Sequence, residues 1–414
     1  MPWRSEPVKL ARQQGLALLV LVIAMALVSL AWFFSHTPPQ LLQLEREQAT
    51  RQALQQAKQA LIHYAVNYPE ITGARGPGYL PCPDRDNDGS ADTAAVPSCN
   101  SAVGTQGSVG RLPFLSLNAG DLRDGTGERL WYAVSRSYSN FGTKDVNSAK
   151  YGSITVRNRD GVIIHDGTGV DAAIAVIIAP GAPLVREDGW VQNRSAGTAD
   201  LNDPANYLDV ALGESNTDFI QSGGDGFISG EVLAADGRVI SNDIIEVITY
   251  RDLMQPVMQR VSAELSRVLQ AYRNACGAYP EALDFDASRP GGDYESDGES
   301  IGHVPVDEAE PADWDDGCAA GIELPFWLEE EDWHKEILYA YSETVPCAGG
   351  DCLTVENLPA PNDDIELLLV FAGRDLNGTH DDSDIDEYFE NENADGDRVF
   401  DAAENEDYVY VLSQ

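Results

Sequence analysis

The chain has 414 residues, 43% of them hydrophobic, together with 37 Gly and 22 Pro. That is enough apolar material for a packed core, so global disorder is excluded, and the length predicts two or three domains at roughly 150 residues each. A formal net charge of −41, from 68 acidic and 27 basic residues, excludes nucleic acid as a partner, because phosphate binding needs clustered Lys and Arg.

At the N-terminus Arg4, Lys9 and Arg12 precede Gly15, and Leu16 to Phe34 then run 19 residues without a charge. At a rise of about 1.5 Å per residue that run matches the roughly 30 Å of a bilayer core. It predicts a transmembrane helix over 16–37. The flanking cations orient it with a cytoplasmic N-terminus, which makes the expected protein a single-pass inner-membrane one whose bulk is periplasmic. Ser29-Leu30-Ala31 offers small residues at the spacing signal peptidase uses, so a cleaved secretory signal stands as the alternative.

The segment Arg12-Gln13-Gln14-Gly15-Leu16-Ala17-Leu18-Leu19 resembles the type IV prepilin motif, a basic leader ending in Gly before an apolar helix. The resemblance to the pilin and pseudopilin family implies a leader over 1–15, cut by a prepilin peptidase between Gly15 and Leu16. It also implies partners among other pilins or pseudopilins, and a place in a type II secretion or type IV pilus apparatus. Two positions depart from the family pattern: Leu16 replaces the usual Phe, and Val20 replaces the usual Glu. That second departure resembles the K-type subunit at a filament tip, where no subunit above presents an amine for the Glu to pair with.

Pro38 and Pro39 break the apolar run, and Leu41 to Tyr68 has the pattern of a polar helix with Leu44, Leu54, Leu61, Tyr64 and Ala65 inward. A second helix is predicted over Met254 to Ala275, with Met254, Val257, Met258, Val261, Leu265, Val268, Leu269 and Tyr272 on one face. Each ends on a related sequence, Asn67-Tyr68-Pro69-Glu70 and Ala278-Tyr279-Pro280-Glu281. Beyond both helices the same elements recur in the same order: an acidic Gly-containing loop, a cysteine, Leu-Pro-Phe (112–114 and 324–326), then a strand (130–135 and 337–342). Further apolar strands are predicted at 172–179 and 365–372, and closing strands at 244–250 and 408–412. The reading is an α+β chain in which the transmembrane helix precedes two tandem pilin-like modules, 38–252 and 253–414, each a helix on a small, mainly antiparallel sheet.

Asp84, Asp86, Asp88 and Asp92 occupy positions 1, 3, 5 and 9 of a loop with Gly89 at position 6. Calcium takes six to eight oxygens, and alternating Asp residues around a Gly turn supply them as in EF-hand loops, although Ala95 stands where the bidentate Glu belongs. Asp293, Glu295 and Asp297 before Gly298 repeat the alternation, and Asn391, Asn393 and Asp395 before Gly396 make a third match. Calcium is the cofactor these loops predict; plain solvated acidic turns are the competing reading. Six cysteines suggest three disulfides, Cys82–Cys99, Cys276–Cys318 and Cys347–Cys352, while the absence of any CxxC argues against zinc. No nucleophile elbow, HExxH or phosphate loop is present, so a structural role is expected rather than an enzyme. A tethered periplasmic binding protein and an anchored hydrolase are the alternatives. Trp131, Tyr132, Trp327 and Trp333 are expected in the core.

Overall fold

A computed structural model describes residues 18–29, 39–92, 109–140, 145–167, 171–195, 202–219, 226–283, 300–306, 317–375, 388–389, 393, 398–403 and 407–413. Two long helices, Pro39–Val66 and Tyr250–Cys276, pack on each other, and each half of the chain adds a four-stranded antiparallel sheet. In the first sheet the strands Val109–Arg111, Trp131–Val134, Ala175–Ala179 and Ile244–Ile248 lie side by side in chain order. The second sheet repeats this order with Ile301–His303, Ile337–Tyr341, Leu367–Phe371 and Tyr408–Ser413. Each half also carries a short parallel pair: Thr155–Asn158 with Gly226–Ser229, and Thr354–Glu356 with Val399–Asp401.

The central strands are apolar at every position because both of their faces are covered. Tyr132, Val134 and Ile177 face the helices, whereas Trp131, Ala133, Val176 and Ile178 pack outward against Tyr207, Leu208 and Phe227. In the second sheet Tyr339, Leu369 and Phe371 point to the helices, and Leu338, Leu368 and Val370 to Leu353, Phe389 and Phe400. Trp131, Tyr132, Trp327 and Trp333 are all buried.

The edge of each sheet is closed in the same way. The first strand of each has a central glycine, Gly110 or Gly302, and a preceding segment crosses it closely. A Cβ on Gly110 would lie 2.7 Å from the Asp84 carbonyl oxygen, and one on Gly302 would lie 2.0 Å from that of Leu283. Asp84 and Arg111 exchange backbone hydrogen bonds across this contact, as do Leu283 and His303. Covering an edge strand in this way removes a template for aggregation.

Three expectations are corrected. Among the described residues no helix is long and apolar enough to cross a membrane. The stretch described as helical is 18–29, whose twelve residues cover about 18 Å against the roughly 30 Å required. A single-pass inner-membrane placement, with its cytoplasmic N-terminus and periplasmic bulk, is therefore not supported; Gly15 and Leu16 lie outside the described residues. The tandem organisation also differs from two separate modules. The largest apolar cluster joins Leu54, Leu61 and Ile177 of one half to Met254, Leu265, Tyr339 and Phe371 of the other, so the halves share one core. The architecture is a mixed α/β arrangement with several small sheets, and nothing in it identifies either half as a pilin module.

The second long helix starts at Tyr250, four residues earlier than its apolar stripe predicts, because Thr249 and Asp252 form a reciprocal capping box. Lys58 of the first helix reaches this junction, 2.9 Å from the Asp252 carboxylate and 2.8 Å from the Val247 carbonyl. Gly277, at φ 87°, ends the helix in the left-handed conformation.

Candidate cation-binding loop

The loop beginning at Asp84 is built around that residue's fully buried carboxylate. Its Oδ1 accepts the backbone N–H of Asn87 at 2.6 Å and of Asp88 at 3.2 Å, and its Oδ2 accepts that of Gly89 at 2.7 Å. The turn places Asn87 at φ 65° and Gly89 at φ 91°, and a Cβ on Gly89 would sit 2.7 Å from the Phe114 ring. Asn tolerates the first conformation; only Gly satisfies both the angle and the space at the second.

The loop is tied to its surroundings on two sides. Leu115 donates its backbone N–H to the Gly89 carbonyl, and Ala91 donates to the Ser116 hydroxyl at 2.8 Å, so the Leu-Pro-Phe segment acts as its base. Arg129 donates to the Asn87 side-chain oxygen at 2.8 Å, and Asn202 donates to the Asp86 carbonyl at 2.9 Å.

Held this way, one carboxylate oxygen each from Asp84, Asp86 and Asp88 lies within 4.8 Å of the others, with Asp86 and Asp88 exposed. Burial pushes the Asp84 carboxyl up to about 6, against the pull of the Gly89 and Asn87 N–H groups, and the neighbouring Asp88 charge adds to the rise. Three convergent carboxylates repel one another, and an oxygen-seeking cation would relieve that repulsion. Asp92 does not join them. It is buried in an ion pair with Arg85, 2.5 Å from Nε, and also accepts the Arg85 backbone N–H.

No protein family, characterised protein or solved structure matches the chain.

The other predicted loops are placed differently or lie outside the described residues. Asp293, Glu295, Asp297, Asn391 and Asp395 are among the latter. Leu283 holds the place opposite the second edge strand that Asp84 holds opposite the first, so Asp293 stands ten residues beyond the structural counterpart of Asp84. Asn393 is buried and structural: its side chain donates to the Asp407 carboxylate at 3.1 Å and to the Asp401 carbonyl, and accepts the Asp401 N–H. Cys276–Cys318 and Cys347–Cys352 form disulfides, each with Cα atoms 5.1 Å apart. Cys82 is buried, and its expected partner Cys99 lies outside the described residues.

Sequence reasoning missed a buried carboxyl pair in the first half. Asp209 accepts the backbone N–H groups of Asn242 and Asp243 on Oδ2 and the Gln192 amide on Oδ1. Asp243 in turn accepts the Asp209 N–H and the Asn216 amide, both at 2.8 Å. Burial raises both carboxyls, Asp243 most of all, and the neighbouring Asp209 charge raises it further. Asn216 also brackets the Ile228 backbone, as Asn393 brackets Asp401, so an Asn–Asp clamp recurs beside the last strand of each sheet. The signal was the Asp before each closing strand; the Asn was hidden because it lies 27 residues upstream in one half and 14 in the other.

Proposed function

We propose that the chain is a non-catalytic assembly subunit of the pilin or pseudopilin kind, working in a type II secretion or type IV pilus apparatus, with calcium held as a structural ion by Asp84, Asp86 and Asp88. The observation that carries this reading is the helical stretch 18–29. Its apolar side chains are exposed, Leu18 at 67% and Ile23 at 50%, and no other described part of the chain covers them. A contiguous apolar surface of this kind marks an interaction site. In pilin-like assemblies the equivalent helices of neighbouring subunits bury it, so other pilins or pseudopilins are the expected partners.

Two further features agree with a structural role. The described residues hold a core shared by two halves, and the buried polar side chains Asp243, Asn216 and Asn393 are taken up by hydrogen bonds to backbone and to neighbouring side chains. The cation loop lies against the body of the first half, where an ion would stiffen a surface turn.

The test is processing. Co-expressed with a prepilin peptidase, the chain is expected to yield a mature product beginning at Leu16, read by intact mass, and Gly15→Arg is expected to retain the leader. A mature start at Trp32, or no cleavage at all, would overturn the assignment.

A further inference from the structure

We propose that Glu331 is a proton-operated latch, closing the 327–336 segment of the second half onto the first half when its carboxyl is neutral and releasing that segment when it ionises. Glu331 follows the one-turn helix Trp327–Glu330 and is 3% exposed. Its Oε1 accepts the Gly76 backbone N–H at 2.9 Å, and its backbone carbonyl accepts the Asn147 side-chain amide at 3.1 Å, so the residue is bonded to two separate segments of the other half. The approach is close: a Cβ on Gly76 would stand 2.5 Å from Oε2 and 3.2 Å from Trp327, so a side chain there would displace the carboxyl. Oε2 itself is enclosed, and the Tyr79 hydroxyl is the side-chain donor turned toward this carboxyl. A carboxylate sealed from water that keeps only part of its hydration in hydrogen bonds costs free energy that a bound proton removes.

The surrounding charges do not compensate. Arg75, from the loop after the first helices, favours the ionised form, as do the Gly76 N–H and the Tyr79 hydroxyl, whereas Asp145 opposes it. Arg75 also stacks over the Tyr79 ring at 4.9 Å. Besides Glu331, the segment's own titratable groups are Glu329, Glu330, Asp332, His334, Lys335 and the buried Glu336; Lys335 pairs with Asp332, and His334 Nδ1 lies 3.1 Å from the Leu328 carbonyl. Burial is the dominant effect and pushes the Glu331 carboxyl up to about 7.

Its unfolded value is the ordinary one near 4.5. A raised folded value means that the latch's contribution is fully present below about 4.5 and is lost as pH rises through about 7. Opening is local, because the two long helices remain packed.

Hydrogen exchange on the full chain, corrected for intrinsic rates, tests this at amides 76, 78–80 and 327–336. Between pH 5 and pH 8 the opening equilibrium is expected to rise on the order of a hundredfold in wild type and to stay flat in Glu331→Gln, which keeps the acceptor for Gly76 but cannot ionise. An equal pH slope in both proteins, or none in wild type, would overturn the latch. If the variant fails to fold, carboxyl carbon NMR of wild type decides: a Glu331 midpoint near 7 supports the proposal, and one near 4.5 sinks it.

Discussion

Replacing Asp84 by Ala separates the two jobs that the loop's carboxylates do. Asp84 accepts three backbone N–H groups, one of them in a fully buried bond, and each such bond contributes about 1 kcal/mol net. The expected loss is therefore about 3 kcal/mol, with or without calcium. At roughly 2 cal/mol/K of unfolding entropy per residue, a cooperative transition of the whole chain would shift by about 3 to 4 °C. Asp86 and Asp88 are exposed and accept local N–H groups, at 3.2 Å from Asp88 and 2.7 Å from Ser90. Replacing both by Ala is expected to change the chelator-treated melting temperature by less than about 1 °C, while abolishing the calcium-dependent rise. Affinity in wild type should be near 10⁻⁴ to 10⁻³ M, roughly that of extracellular sites, because Ala95 stands in place of the bidentate Glu. The assay is thermal melting of wild type, Asp84→Ala and Asp86→Ala with Asp88→Ala, in chelator, calcium and magnesium at matched ionic strength. If the double variant responds to calcium as wild type does, or if both ions act alike, these carboxylates are only a charged turn.

Buried groups and cross-links give two more expected outcomes. Opening Cys276–Cys318 by paired Ser substitutions should cost about 4 kcal/mol and opening Cys347–Cys352 about 2, since the closed loops span 42 and 5 residues; urea midpoints in the reverse order would refute a chain-entropy origin. Because Asp209 and Asp243 are both raised, their contribution is present in acid and is lost as pH rises through their folded values, so Asp243→Asn should flatten the decline of stability with rising pH, and an unchanged urea-midpoint profile would show that the pair does not titrate in the folded state.

The long elements were legible because their sequence pattern has a single physical cause. Residues 172–179 and 365–372 read as strands since both faces are covered, and the stripe from Met254 to Tyr272 reads as a helix since one face meets the core. The edge strands Val109–Arg111 and Ile301–His303 were not predicted: three residues with a central Gly carry no alternation, and their pairing depends on a distant segment. The Asp84 loop was recognisable from Asp spacing around Gly89, whereas spacing could not show that Asp92 pairs with Arg85. Glu331 was illegible, because nothing local distinguishes it from Glu329 and Glu330; only the approach of Gly76 from the other half does.

One residue, Thr249, separates the last strand of the first sheet from the first turn of the second long helix. There is no tether between the halves that could act as a swivel. A pull applied to the helix Pro39–Val66 would pass through Lys58 and the capped junction directly into the second half, so any load on the N-terminal end is carried by both sheets together. The two halves therefore form a stiff strut, and a protease would find no joint at the point where one becomes the next.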